Sequence, residues 1–132
     1  IQVFNNGEME RDFTYIDDIV EGVFRILTGE PPKGDPSWNG ADPDPSSSPA
    51  PYKIYNIGNS RPVKLMDFVH AIEDATGKKA VIELKPMQAG DVKKTWADTT
   101  RLADVYQYAP DTNINQGIAS FCNWLMLYKN IF

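Results

Sequence analysis

The sequence predicts a small α+β domain of irregular order, and three observations lead to that prediction. Three short segments have the alternation of strands, four segments have the three- and four-residue periodicity of helices, and one long stretch is too rich in proline for either. The strands and helices do not alternate regularly enough for a doubly wound sheet. A chain of 132 residues is long enough for one domain with a modest core.

The first residues indicate that the chain is part of a longer protein. The sequence begins with Ile1 rather than Met, and residues 1–4 are already strand-like. We therefore expect residues 1–132 to be the trailing part of a longer protein. A small α+β piece of this kind favours a lobe that closes over a site on another domain.

Residues 11–27 predict a short extended segment that turns directly into an amphipathic helix. Asp17 is placed to cap the helix, and Asp18 adds negative charge where the helix dipole is positive. Gly29 is a plausible end of the helix. One apolar face is predicted from residues spaced three and four apart: Ile19, Val20, Val23, Ile26 and Leu27.

Arg11 stands just ahead of this helix and is a candidate anion-binding residue. A guanidinium held between a strand and a helix suits a phosphate or a carboxylate, because its planar fork donates two parallel hydrogen bonds. The alternative is a surface arginine that pairs with Asp12 or Glu10. A side chain that faces away from any cleft, or that is tied to an internal carboxylate, would contradict the anion-binding role.

The other predicted elements follow in chain order. The strands are expected at Gln2–Asn5, Lys53–Ile57 and Ala80–Leu84. The remaining helices are expected at Leu65–Thr76, ended by Gly77, at a short segment capped by Asp98, and from about Ile114 to Tyr128.

A long loop is predicted at about residues 28–52. Seven of the ten prolines lie between Pro31 and Pro51, together with three consecutive serines at 46–48. Such a segment holds neither a helix nor a regular ladder, and loops of this length are usually functional or mobile. Trp38 is the residue able to anchor the loop to a surface, although an exposed tryptophan is nearly as plausible.

Composition excludes several classes of function. The net charge of −5 argues against a face that tracks nucleic-acid phosphates. The single cysteine, Cys122, cannot form an internal disulfide and is expected to be buried on a helix. No apolar run approaches the length of a membrane span. His70, the one histidine, lacks companions for a metal site, so no metal is predicted.

Catalytic and cofactor motifs are absent from the 132 residues. There is no phosphate loop of the GxxxxGK(S/T) type, no GxGxxG fingerprint and no GxSxG elbow. A tyrosine base assisted by a lysine one helical turn later needs Tyr-x-x-x-Lys. None of the six tyrosines is followed by lysine at that spacing, so no catalytic or cofactor-binding residue is predicted in this chain.

Two blocks resemble the C-terminal half of NAD-dependent sugar-nucleotide epimerases of the extended short-chain dehydrogenase/reductase family. They are Val3-Phe-Asn5 and Gly7-Glu-Met-Glu-Arg-Asp-Phe-Thr-Tyr-Ile-Asp-Asp-Ile-Val-Glu-Gly22. Further blocks make the chain most similar to UDP-glucuronate 4-epimerases, in family order: residues 47–52, 55–60, 62–68, 87–91 (Met-Gln-Ala-Gly-Asp), 97–98 and 117–124.

The resemblance implies a divided enzyme. In this family an N-terminal Rossmann domain binds NAD and carries the catalytic Ser/Thr, Tyr and Lys, whereas the C-terminal lobe binds the UDP-sugar. The family reaction oxidises the sugar C4 hydroxyl by hydride transfer to NAD and returns the hydride to the opposite face of a 4-keto intermediate. The chain is then expected to be a cytoplasmic enzyme's substrate-binding lobe, inactive alone, with the full-length protein a homodimer.

The resemblance also assigns four substrate-binding residues. Arg11 matches the family arginine that contacts the diphosphate, and Phe4 matches the strand position beside the uracil. Gln88 matches a position that is often arginine in the related galactose epimerases, and a glutamine there can hydrogen-bond to ribose or phosphate without charge. Asp91 matches the acidic residue near the ribose. The alternatives are a plain core role for the Phe4 side chain and a turn carboxylate after Gly90 for Asp91.

Two positions depart from the family pattern: Ala89 replaces the usual proline, and Gln107 replaces a common glycine before Tyr108. The loss of the proline suggests a less rigid turn before Gly90. Two other functions stay open. One is the lobe of a related nucleotide-sugar dehydratase or decarboxylase, and the other is a non-catalytic module that binds a nucleotide sugar or a protein.

Overall fold

The computed structural model describes residues 1–129 and confirms a small α+β fold. Two-residue strands and one 3-10 turn are interspersed among four helices. In chain order the elements are β1 (Gln2–Val3), the 3-10 turn (Phe4–Gly7), β2 (Glu10–Arg11), α1 (Ile16–Thr28), β3 (Val63–Lys64), α2 (Leu65–Thr76), β4 (Glu83–Leu84), α3 (Thr100–Tyr106) and α4 (Ile114–Lys129).

The strands form two separate pairs. β1 pairs in parallel with β4, and β2 pairs antiparallel with β3, with Arg11 opposite Val63. A further segment runs along the other edge of β2: Glu10 N–H donates to Lys93 O at 2.8 Å, and Thr95 N–H donates to Glu10 O at 3.3 Å. β2 therefore lies between β3 and residues 93–95, which fixes the backbone on both sides of Arg11.

The core lies between α1, α3 and the residues that follow α3. Leu102, Tyr106 and Tyr108 are buried there, with Ile26, Tyr55 and Ile57 packed against them. Gly22 allows this contact, because a Cβ at that position would lie 3.0 Å from Tyr108 Cε2. α2 packs on α4, where Cys122 is buried as predicted.

The helices match the prediction more closely than the strands do. α1 ends at Gly29 and α2 ends at Gly77, which takes the left-handed conformation with φ of 66°. The predicted Asp17 cap is wrong: α1 begins at Ile16 after Tyr15, with no side-chain cap, and Asp17 lies inside the first turn. Asp98 Oδ1 accepts from Thr100 N–H at 3.0 Å at the start of α3, although the cap position itself is Thr99.

The predicted strand at Lys53–Ile57 is also wrong. Lys53 makes one isolated bridge, to Ser47, and the rest of the segment has no ladder partner among the described residues. Its alternation has another cause, since Tyr55 and Ile57 turn toward the core while Asn56 donates to Asp98 O. The strands predicted at 2–5 and 80–84 are each reduced to two residues.

The long loop is organised around Asp44. Its Oδ1 accepts from the Ser46 N–H and hydroxyl at 2.8 and 2.6 Å, which lowers the Asp44 pKa below its ordinary value. Lys53 Nζ lies 3.6 Å from Oδ2. Trp38 Nε1 donates to Asp44 O at 3.1 Å, so this side chain links two parts of the same loop.

Part of the apolar face predicted on α1 lies on the surface. Ile19 and Ile26 are half-buried, whereas Leu27 is 79% exposed. The other exposed apolar residues of this helix are Ile16, Val20, Val23 and Phe24, and α4 likewise exposes Phe121, Trp124 and Leu127. Within the described residues, no helix combines the length and apolar character needed to cross a bilayer.

Candidate functional site

The guanidinium of Arg11 lies at the edge of β2 and is held by three acceptors. Nη1 donates to Glu10 O at 2.8 Å and to Lys93 O at 3.2 Å, and Nη2 donates to Asp91 Oδ1 at 3.0 Å. The side chains of Arg11 and Asp91 are 27% and 31% exposed. Two of the four predicted site residues therefore contact each other directly.

The partner of Arg11 differs from both carboxylates that the sequence suggested. Glu10 offers its backbone carbonyl, while its carboxylate pairs with Lys94 at 2.7 Å. Asp12 uses its carboxylate on backbone N–H groups instead. Arg11 is thus paired with an internal carboxylate, Asp91, which is the arrangement expected above to contradict the anion-binding role, except that the side chains of the pair are not fully buried. Because the side chains of Arg11 and Asp91 are both partly exposed, a ligand that displaces Asp91 from Arg11 gives up little free energy.

Asp91 reaches Arg11 from a tight turn at residues 88–91. The turn is closed by Asp91 N–H donating to Gln88 O at 3.3 Å, and Gly90 has a φ of +82°. A positive φ at the third position is typical of a type II turn. Asp91 Oδ1 also accepts from Val92 N–H at 2.8 Å, whereas Oδ2 accepts no hydrogen bond from the described residues. The side chain of Gln88 is exposed.

Phe4 lies where the parallel strands β1 and β4 end together. It opens the 3-10 turn that follows β1 and is half-buried. Lys85, the first residue after β4, donates its N–H to Val3 O at 2.8 Å and accepts from Asn6 N–H at 3.1 Å. Phe4 and the connector that carries Gln88 and Asp91 therefore start from the same edge of this strand pair.

Asp12 is the residue that sequence reasoning missed. Its Oδ1 accepts from Asn59 N–H at 3.1 Å, and its Oδ2 accepts from Ser60 N–H and Ala97 N–H, both at 3.0 Å. We call this arrangement the Asp12 junction. Its partners lie 47, 48 and 85 residues away, so no local pattern in the sequence indicates them.

The surroundings of the junction are charged on the outside and buried on the inside. Lys94 Nζ lies 5.7 Å from the centroid of the Trp96 ring, a cation–π distance. Tyr108, beneath the junction, donates its hydroxyl to Gly58 O at 3.2 Å. Burial, with smaller contributions from Asp18 and Asp12, raises the pKa of Tyr108 to about 12.

Chemically, the arrangement offers recognition groups rather than reactive ones. It has an oriented guanidinium, a carboxylate with an unused oxygen and an exposed amide, all suited to polar ligands. Among residues 1–129, no group of three acidic, histidine or cysteine side chains is placed to hold a metal ion.

Comparison with known proteins identifies relatives of this fold. Protein CapI of Staphylococcus aureus is 48% identical over 128 residues, which are 97% of this chain and 38% of that protein. The probable UDP-glucuronate 4-epimerase of Rhizobium meliloti is 36% identical over 124 residues, which are 94% of this chain and 36% of that protein. No protein-family model matches the chain.

A solved structure gives the same result. UDP-glucuronic acid 4-epimerase from Bacillus cereus, crystallised in complex with NAD, matches with a TM-score of 0.69 and 26% sequence identity over 97% of this chain and 34% of that one. The chain is homologous to a C-terminal portion of UDP-glucuronate 4-epimerases. The family resemblance and the C-terminal-lobe fold are thereby confirmed.

The homologous portion is a minor part of each relative, since the chain spans 38% and 36% of the two proteins and 34% of the solved structure. Sequence identity and fold do not assign roles to single side chains. The substrate-binding roles of Phe4, Arg11, Gln88 and Asp91 stay predictions, and the structure adds that Arg11 and Asp91 form one unit.

Proposed function

We propose that this chain is the UDP-sugar-binding lobe of an NAD-dependent UDP-sugar 4-epimerase that interconverts UDP-glucuronate and UDP-galacturonate. NAD accepts and returns the hydride at the sugar C4, and an N-terminal Rossmann domain outside residues 1–132 holds it. The observation that supports the proposal is an arginine oriented by two carbonyls beside Asp91, in a chain homologous to UDP-glucuronate 4-epimerases.

Arg11 binds the diphosphate by exchanging its ion pair with Asp91 for one with the ligand. Its two backbone acceptors keep the guanidinium at the edge of β2 whether or not Asp91 is engaged. An ion pair this exposed contributes at most about 1 kcal/mol, so opening it costs a ligand little. A diphosphate offers more negative charge and the paired oxygens that a guanidinium fork prefers. Asp91 thus occupies the position on Arg11 that the diphosphate takes when it binds.

Asp91 keeps a role after the exchange. Its Oδ2 has no hydrogen-bond donor within residues 1–129, and its Oδ1 becomes available once Arg11 turns to the phosphates. A carboxylate with two such oxygens accepts two hydroxyl protons, as the ribose of a nucleotide provides. Gln88, exposed on the same turn, hydrogen-bonds to ribose or phosphate without adding charge, and the backbone at Phe4 reads the uracil edge.

The exposed apolar surface supports a covering domain. α1 and α4 leave large apolar side chains uncovered, and an apolar cavity of about 300 Å³ opens between the start of α1, α2 and α4, lined by Phe13, Tyr15, Phe68 and Phe121 among others. Large uncovered apolar surfaces mark interaction sites in folded proteins. The Rossmann domain of the same full-length chain is the partner we assign to them, and the full-length protein is proposed to be a homodimer through that domain.

Replacement of Arg11 tests the site. We expect Arg11→Ala in the full-length protein to weaken UDP-sugar binding by about 2–5 kcal/mol, the scale for removing one partner of a buried charge contact. Isothermal titration calorimetry with UDP-glucuronate measures this loss. A variant that binds as tightly as the wild type rules out Arg11 as the diphosphate ligand.

Arg25 provides a matched control at the other end of α1. Like Arg11, it donates to two backbone carbonyls, those of Tyr106 and Gln107, and pairs with one carboxylate, Glu21. Arg25→Ala removes the same kinds of contact and is expected to leave UDP-sugar affinity unchanged. An equal loss in both variants would show a general effect of disturbing α1 rather than loss of a ligand.

The chain by itself is expected to be inactive, because it carries no Tyr-x-x-x-Lys and no dinucleotide fingerprint. Residues 1–132 expressed alone should give no NAD-dependent conversion of UDP-glucuronate, followed by chromatography of the nucleotide sugars. Measurable conversion would refute the division of labour. The full-length protein should give UDP-galacturonate, whereas a decarboxylated or dehydrated product would identify a related enzyme instead.

A further inference from the structure

We propose that Asp12 is a positioning residue that fixes the Arg11 guanidinium for diphosphate binding, an inference that rests on the proposed function. Asp12 does not touch the ligand in this proposal. Three backbone N–H groups from two distant segments converge on its carboxylate, and one of these segments, residues 91–97, also supplies the Asp91 carboxylate and the Lys93 carbonyl to Arg11.

The first tie holds the turn at residues 58–60. Asp12 accepts from both Asn59 and Ser60, and Ser60 has a left-handed φ of +57°. A non-glycine residue keeps that conformation when its surroundings impose it. The Ser60 hydroxyl then donates to Ala97 O at 2.6 Å and lies 2.8 Å from Thr99 Oγ1. The turn is thus bonded both to Asp12 and to residues 97–99.

The second tie reaches the segment that partners Arg11. Ala97 N–H donates to Asp12 Oδ2, and Ala97 ends the run of residues 91–97. The start of that run supplies the Asp91 carboxylate and the Lys93 carbonyl to Arg11. Because Arg11 and Asp12 are neighbours in the chain, the same run is bonded to both of them. The distance between the guanidinium and its partners is therefore set from two sides.

Gly58 shows how closely the junction is packed. A Cβ at this position would lie 2.5 Å from the Ala97 Cβ and 2.7 Å from Asp12 Oδ2, both inside contact distance. Any side chain here would displace the Asp12 carboxylate or the segment at Ala97. Glycine is required by this close approach, and the junction has little room for an alternative arrangement.

Preorganisation of this kind affects ligand affinity without direct contact. A binding group held by neighbouring packing and hydrogen bonds loses less freedom when the ligand arrives, so loosening the support weakens binding. Loss of the Asp12 carboxylate leaves Arg11 present but less well placed. A purely structural role for Asp12 predicts lower stability with unchanged affinity, which separates the two interpretations.

A double-mutant cycle on the full-length protein tests the proposal, with UDP as the ligand and calorimetry as the measurement. Asp12→Ala is expected to weaken UDP binding about tenfold. In an Arg11→Ala background the same change should cause no further loss. Asp12→Asn keeps one acceptor oxygen, so its loss of affinity should lie between those of the wild type and Asp12→Ala. It replaces Asp12→Ala in the cycle if that variant does not fold. Gly58→Ala should weaken binding in the same way, and Glu73→Gln should not.

Two results would overturn the proposal: wild-type affinity in the Asp12 variants, or an equal loss in both Arg11 backgrounds. The Arg11 Nε–H signal in NMR spectra gives a readout that needs no ligand. It should be a single sharp signal in the wild type and broadened in the Asp12→Asn variant. A wild type that fails to bind UDP contradicts the proposed function, and the NMR comparison then decides the positioning role, which an unchanged signal overturns.

Discussion

Asp12 and Glu73 both accept hydrogen bonds from backbone N–H groups, but over very different distances along the chain. Glu73, near the end of α2, accepts from Ala80 N–H at 2.8 Å, seven residues on, and pairs with Lys79 at 2.7 Å, six residues on. Asp12 binds partners 47, 48 and 85 residues away. Glu73 closes one local connection, whereas Asp12 joins two distant segments next to Arg11. The reach of a hydrogen bond along the chain therefore indicates how much structure depends on it.

The largest expected effect follows directly from this difference. Asp12→Ala leaves three backbone N–H groups without an acceptor, so we expect the free energy of unfolding to fall by about 3 kcal/mol. Urea denaturation of the full-length protein at neutral pH measures the change. Glu73→Ala is the matched comparison and should cause a smaller loss, because it leaves one backbone N–H, that of Ala80, without its acceptor instead of three. A larger loss for Glu73→Ala would reverse the ranking.

The next effect concerns the buried side of the junction. Tyr108 donates to Gly58 O, so Tyr108→Phe should lower the free energy of unfolding by about 1 kcal/mol at neutral pH. Burial raises the Tyr108 pKa from 10.0 to about 12. This group therefore stabilises the fold fully below pH 10, and that contribution is lost as the pH rises from 10 toward 12.

The alkaline profile separates Tyr108 from the other tyrosines. Unfolding followed between neutral pH and the tyrosine range should show a steeper alkaline loss in the wild type than in Tyr108→Phe. Phenolate absorbance gives a second measurement, since the variant should lack the phenol whose pKa burial raises to about 12. Identical alkaline profiles for the two proteins would show that Tyr108 is accessible to hydroxide and that the junction is open beneath Gly58.

The same distinction between local and distant contacts explains what could be predicted from sequence. α1, α2 and α4 were predicted within a few residues, since apolar periodicity and terminal glycines are local signals. The extended segment at Arg11 was predicted, but its pairing with β3 and β3 itself were missed, because two-residue strands depend on a partner far along the chain. The alternation at Lys53–Ile57 indicated burial of Tyr55 and Ile57 but not a ladder.

The candidate site shows the same difference between local signals and distant contacts. Family resemblance selected Arg11 and Asp91 one by one, as residues matched to motifs. Their mutual ion pair, formed across 80 residues of sequence, appears only when the chain is folded. Asp12 carried no signal beyond its place next to Arg11, because each of its acceptor contacts is to a backbone N–H that any residue type supplies.

The smallest expected effect is in the turn that brings Asp91 to Arg11. Ala89 occupies the second position of a turn whose third residue, Gly90, has a φ of +82°, and proline is favoured at that second position. Its N–H donates no hydrogen bond within residues 1–129, so proline removes no contact there. Ala89→Pro should raise the free energy of unfolding by about 0.4–1 kcal/mol, because it restricts the unfolded chain.

Gly90→Ala is the opposite change in the same turn. No atom lies within 4 Å of a Cβ at that position, so its whole cost is the strain of an L-residue at positive φ, and stability should fall. Urea denaturation of both variants, with UDP titrations alongside, distinguishes turn rigidity from a direct contact. If stiffening the turn holds Asp91 nearer its bound position, Ala89→Pro binds UDP slightly tighter and Gly90→Ala more weakly. Opposite signs in stability with equal affinities would show that the turn supports the fold but does not tune the Arg11–Asp91 pair.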